Sequence, residues 1–148
     1  MNRHGTGRIA YPGPAPMKVL FLSPHYPEEM LDFTRGLAEV GAEVYGVGEP
    51  PASALPARVR PYLHDYVQVP GLFDEQRSLA PLVEYARRIG VDRVETLWEP
   101  LVLLAAALRD ALGIPGMDRH TALGFRDKPI MKERLLPAGV RLPRFARE

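Results

Sequence analysis

Four short stretches hold the side chains best suited to chemistry. "SPHYP", 23–27, offers a hydroxyl and an imidazole, Ser23 and His25, that can reach a ligand; the plainer role is a turn capped by Ser23 with His25 exposed. "GVGEPP", 46–51, sets Glu49 behind two glycines. Its carboxylate can accept a ribose hydroxyl where the backbone approaches closely, unless the glycines serve only the turn. "LWEP", 97–100, places Trp98 and Glu99 where a strand meets a helix. There Glu99 either caps the helix N-terminus or contacts substrate or a neighbouring domain. Finally, "RDKPIMKERLLPAG", 126–139, starts a helix with Lys128 in its first turn, behind Asp127. A cation there is mildly unfavourable unless an anion lies nearby, and Asp127 can supply one by capping.

Several chemistries lack their residues. No glycine stands in 23–27, so the chain has no dinucleotide fingerprint there, and no acidic pair of the receiver type follows the first strand. His4, His64 and His120 show no metal-ligand spacing. No G-x-S-x-G, H-E-x-x-H or P-loop occurs. The chain has no cysteine, hence no thiol or disulfide chemistry. With 19 basic against 18 acidic residues, nothing argues for nucleic acid as a partner. The longest apolar run, 101–108, is far too short for a membrane span, and the first 16 residues lack the apolar core of a signal peptide. A cytoplasmic protein with no nucleic-acid or membrane partner is expected.

The elements that position these loops follow from periodicity. The apolar, β-branched run at 17–23 reads as a buried strand, and 42–48, 65–70 and 92–98 read as three more. The segments 27–41, 74–90, 99–113, 118–125 and 126–139 read as helices, with 140–145 extended. Met30, Phe33, Leu37 and Ala38 share one face of the first helix; Leu79, Leu82, Val83, Ala86 and Ile89 share one face of the second, which starts or bends at Pro81. Four helices end in glycine, followed at once by an apolar residue: Gly41-Ala42, Gly90-Val91, Gly113-Ile114 and Gly139-Val140. This alternation predicts an α/β fold, an open three-layer Rossmann-like domain with a mostly parallel sheet of four or five strands. The 16 prolines, about twice average usage, fall mostly between elements. In such a sheet, ligands bind beyond the C-terminal ends of the strands, where 23–27, 46–51 and 97–100 fall. The helix over 99–113 is apolar on all sides from Leu101 to Leu108, so burial on more than one side is expected, with a homodimer partner or second domain covering what the sheet does not.

The closing segment resembles the start of an ATP-grasp enzyme. Asp127, Lys128, Met131, Lys132, Ala138, Gly139, Val140 and Pro143 stand in the pattern D-K-x-x-M/T-K…A-G-V/I-x-x-P, which follows the N-terminal, or pre-ATP-grasp, α/β domain of that superfamily. The "SPHYPEEM" and "LWEP" loops are more similar to those of carboxylate–amine ligases than to those of biotin carboxylase. The resemblance implies three parts: a disordered extension over 1–16, a pre-ATP-grasp α/β domain over 17–125, and over 126–148 a linking helix with the start of an ATP-grasp domain lying beyond the chain. It implies an ATP-dependent carboxylate–amine (or related) ligase acting through an acyl phosphate, with Lys128 on nucleotide phosphate and Ser23, His25 and Glu99 at the substrate. ATP and Mg²⁺ would serve the parent enzyme, acting on a small-molecule carboxylate. The second family lysine, the adenine contacts and the metal ligands are not found in this sequence, so neither bound cofactor nor activity is expected of this chain alone. The alternatives are a non-catalytic Rossmann-like module that binds a small molecule or partner, and the first half of a glycosyltransferase-like enzyme.

Overall fold

A computed structural model describes residues 15–143. The expected extension over 1–16 and the last residues of the expected 140–145 segment lie largely outside them. Strands β1 (Lys18–Leu22), β2 (Glu43–Gly48), β3 (Asp65–Gln68) and β4 (Arg93–Glu95) form one all-parallel sheet in the order β3-β2-β1-β4. Helices α1 (Met30–Glu39), α2 (Glu75–Ile89), α3 (Val102–Leu112), α4 (Arg119–Arg126) and α5 (Lys128–Leu135) complete the chain. Two 3₁₀ turns, Ala52–Ala54 and Arg60–Tyr62, occupy the connection from β2 to β3. Among the described residues the sheet has four strands.

Both sheet faces are covered, which is why β1 reads as an unbroken apolar run. Leu20 and Leu22 point to one face, into a core with Leu82 and Ala86 of α2 and Leu101, Leu104, Ala105 and Leu108 of the α3 region. Phe21 points to the other, against Met30 and Val44. Leu31 packs with Leu55 and Val59, so the proline-rich connection is itself a cover for α1. That contact rotates α1 from its expected face: Leu31 and Thr34 are buried, while Phe33 is 47% exposed. α1 also starts at Met30, three residues later than Pro27 suggests, because residues 27–29 form a turn in which the Met30 N–H donates to the Pro27 carbonyl at 2.9 Å.

α2 runs through Pro81, from its Asp74 cap to Gly90 in the left-handed conformation. The proline is on the exposed side, where water can satisfy the Arg77 carbonyl that loses its intrahelical donor. α3 is buried along its length, as its composition requires, but its second cover comes from this chain: α2 and α4 pack on it. Two helices of the same chain therefore cover the apolar helix 99–113 beside the sheet, and the expected homodimer or second-domain contact through it is not shown. α5 lies on α4, where Gly124 leaves room for Arg134: a Cβ there would sit 2.2 Å from Arg134 Nη1. The Arg134 guanidinium donates to the His120 carbonyl at 3.0 Å.

Candidate functional site

The sheet reverses its direction of winding between β1 and β4. From β1 the chain winds through β2 to β3, then returns across the sheet to place β4 on the other side of β1. The C-terminal ends of β1 and β4 therefore form the crevice where doubly wound folds take ligands. A cavity of about 120 Å³ lies there, lined by Ser23, His25, Tyr26, Glu49, Pro50, Leu72, Phe73 and Trp98. A larger concavity, about 590 Å³, runs along α2 by Leu79, Val83 and Arg87. It is an open apolar groove away from the strand ends, so the smaller cavity is the better site.

Ser23 follows β1 with φ of 57°, a conformation rare for a residue with a Cβ. Two bonds hold it: its N–H donates to the Val47 carbonyl at 2.7 Å and its hydroxyl to the Tyr26 carbonyl at 2.5 Å. The backbone amide thus extends the β1–β2 ladder while the side chain closes the 23–26 turn. The Tyr26-Pro27 bond is cis. Thr34, fully buried on α1, sets its hydroxyl between the Pro24 and Met30 carbonyls at 2.8 and 2.9 Å, tying the loop to the helix. The expected capping role of Ser23 is therefore present, and the same residue lines the cavity.

His25 is half-buried, and its Nδ1 is a buried atom with no hydrogen-bond partner. Burial holds its pKa below the ordinary histidine value, favouring the neutral ring. A neutral imidazole with a free nitrogen can accept one hydrogen bond or donate one, according to tautomer.

Beneath His25 lies a flat patch of β2. A Cβ on Gly48 would stand 2.5 Å from the Tyr66 hydroxyl and 3.1 Å from His25 Cε1. On Gly46 it would stand 3.0 Å from Pro24 Cγ and from Tyr66 Cδ2. Both glycines thus lie within the strand and admit the protein's own side chains, not a turn. Tyr66 donates its hydroxyl to the Pro50 carbonyl at 2.7 Å. Burial pushes that phenol up to about 12, so it remains a donor.

Glu49 is exposed and accepts the Leu72 N–H at 2.8 Å, while its carbonyl accepts from the Gln68 side chain at 2.9 Å. It pins the loop after β3 against the end of β2. That loop, 69–74, also obeys the strand-end rule but offers no obvious chemical residue, so sequence reasoning passed over it. It brings Leu72 and Phe73 to the cavity. Three rings meet edge to face there: Tyr26 and Phe73 stand 4.8 and 5.1 Å from Trp98. The Trp98 N–H of the backbone donates to Thr96 Oγ1 at 3.2 Å.

Glu99 takes another direction. It makes no capping bond and pairs with Arg126 at 2.7 Å, both side chains well exposed. The structure thus brings Ser23, His25, Glu49 and Trp98 together, and sends Glu99 to the last residue of α4. Lys128 stands two residues on, exposed in the first turn of α5, where Asp127 caps by accepting the Ile130 N–H at 2.9 Å. No ion pair engages Lys128 among the described residues.

A parallel, doubly wound sheet with a cavity at the reversal point defines this chain as a Rossmann-like domain. Residues 38–116 match the family described as the ATP-grasp N-terminal domain, and the chain belongs to that family. The match ends before Asp127 and Lys128, so it does not extend to the closing motif. Among solved structures, an L-amino acid ligase from Bacillus licheniformis shares the fold, with a TM-score of 0.71 and 21% identity over 87% of this chain. The chain spans about a third of that ligase, 32% of its length. No curated protein matches. No helix among the described residues is long and apolar enough to cross a membrane.

Proposed function

We propose that the chain is the N-terminal domain of an ATP-dependent carboxylate–amine ligase, and that the cavity at the sheet reversal is its contribution to the substrate site. The observation that carries this is the position of the cavity: it lies where this family's sheet changes direction, with Ser23 and His25 on its wall. The likeness to an L-amino acid ligase supports the reaction class.

In the proposed reaction a carboxylate oxygen attacks the γ-phosphorus of ATP, and ADP leaves. An amine then attacks the acyl carbon and inorganic phosphate departs with one oxygen of the original carboxylate, leaving an amide. Charge builds on phosphoryl oxygens, so fixed cations and Mg²⁺ are needed. Among the described residues no cluster of three or more His, Cys, Asp or Glu could hold a metal ion. The Mg²⁺ ligands of the proposed enzyme are therefore assigned to its ATP-grasp portion, and this domain's cation is Lys128. Its exposure and freedom from ion pairs leave the ammonium available to phosphate. The Glu99–Arg126 pair acts indirectly, by holding the end of α4 that leads into α5, whose first residue is Lys128.

The test uses the polypeptide extended through the ATP-grasp portion. It should release ADP and phosphate only when a carboxylate and an amine are both present. Lys128→Ala should leave the melting temperature unchanged, since the side chain is exposed, while raising the KM for ATP roughly ten- to hundredfold, the worth of one charge-assisted bond. An unchanged KM refutes the role given to Lys128. ATP consumption indifferent to the amine refutes the ligase reading and favours the simpler binding module.

A further inference from the structure

The lining of the cavity selects for charge. Among the described residues, no lysine or arginine lines it, and Glu49 is the one carboxylate on its wall. Only the Leu72 N–H occupies that carboxylate, through Oε1, which leaves acceptor capacity on Oε2. Ser23 has committed its proton to the Tyr26 carbonyl, so its oxygen faces others as an acceptor. His25 Nδ1 is buried and unpartnered, in a ring whose neutral form burial favours. Tyr26, Phe73 and Trp98 add aromatic rings, whose electron-rich faces attract cations. At about 120 Å³ the cavity is well below the roughly 300–1,000 Å³ of pockets that enclose whole drug-sized ligands, so it takes a group of a few atoms rather than a nucleotide.

We propose that this cavity is an ammonium subsite. It receives a primary ammonium group, which donates to Glu49 and to His25 Nδ1 while its alkyl stem lies among Tyr26, Phe73 and Trp98. The inference rests on reading the cavity as the ligand site, and names the part of the substrate that enters: an amine-bearing end, not a carboxylate or a phosphate.

Trp98 is the chain's one tryptophan, so its emission reports directly on the cavity. The experiment titrates the 148-residue chain with propylammonium, propanol and propionate, three probes alike in size and different in charge. Propylammonium should produce a saturable change at millimolar concentration, about tenfold tighter than propanol, and propionate should produce none. Glu49→Gln keeps an acceptor for the Leu72 N–H but removes the charge, and should weaken propylammonium about two- to fivefold. His25→Leu should weaken it similarly, and circular dichroism of both variants should match the parent. Propionate binding as tightly as propylammonium, equal binding of propanol, an affinity untouched by Glu49→Gln, or no response to any probe each overturns the proposal. None of these results bears on whether the longer enzyme couples ATP to amide formation, so the two readings fail separately.

Discussion

Replacing Arg109 by alanine is expected to cost about 2–4 kcal/mol of stability and to lower the melting temperature by roughly 5–15 °C. Its side chain is only 10% exposed, yet it carries a full charge. Three acceptors compensate that burial: the Val94 carbonyl at 2.9 Å, Glu95 Oε2 at 2.9 Å and the Met117 carbonyl at 3.3 Å. The guanidinium therefore joins β4 to the turn after α3. Gly116 presses against it, with φ of 147° and room for no Cβ, which would lie 2.7 Å from Arg109 Cδ. Alanine removes all three bonds and leaves a void beneath the turn. Glu95, by contrast, is 45% exposed, so its share is screened by water. Glu95→Gln should cost less than about 1 kcal/mol. Because β4 leads directly to Trp98, the emission of that tryptophan should also shift in Arg109→Ala. A melting curve within a degree or two of the parent would mean that β4 is held by its sheet pairing alone.

Gly48→Ala is expected to cost about 1–3 kcal/mol and to disturb the cavity from below. The new methyl would overlap the Tyr66 hydroxyl, and Tyr66 has no easy retreat, since its ring already lies against Gly46. Moving it breaks the bond to the Pro50 carbonyl and shifts the loop that carries Glu49. Tyr66→Phe alone should cost about 1 kcal/mol for the lost hydrogen bond. In the Gly48→Ala background the same change removes the clashing oxygen, so it should cost nothing or restore stability. Urea unfolding of the four proteins gives the coupling directly. Additive costs would show that Tyr66 and Gly48 do not share the space described.

The fold was legible because β1 is a short apolar run, strand and helix patterns alternate and four helices close on glycine, signals that depend on local chemistry. The buried faces of the helices were less so. Phe33 fitted the apolar stripe of α1 but is exposed, because the proline-rich connection packs on Leu31 instead; only the tertiary arrangement shows that connection to be a cover. α3 read correctly as buried, but the sequence offered a partner or second domain as its other cover, where α4 of the same chain packs. Arg109 carried no sequence signal of burial, which depends on carbonyls 8 and 15 residues away in sequence.

The site was legible in part for the same reason. Ser23, His25 and Trp98 follow strands and fall where the strand-end rule places them. Glu49 acts first as a pin for the 69–74 loop, and Glu99 turns away to Arg126. Which way a carboxylate points depends on a partner distant in sequence. Phe73 and Tyr26 carried no sequence signal of function, since a ring in a loop is as often simple packing. The glycines of β2 suggested close approach correctly, but what approaches is Tyr66 and His25.

The most direct test of the central claim follows the oxygen atoms. The extended ligase is given a carboxylate labelled with heavy oxygen, together with ATP and an amine, and the released phosphate is analysed by mass. One labelled oxygen in the phosphate, with ADP as the nucleotide product, is the predicted result, because the proposed acyl phosphate would form through a carboxylate oxygen. Unlabelled phosphate, or release of AMP and pyrophosphate, would contradict the assignment of this domain to a ligase of that mechanism.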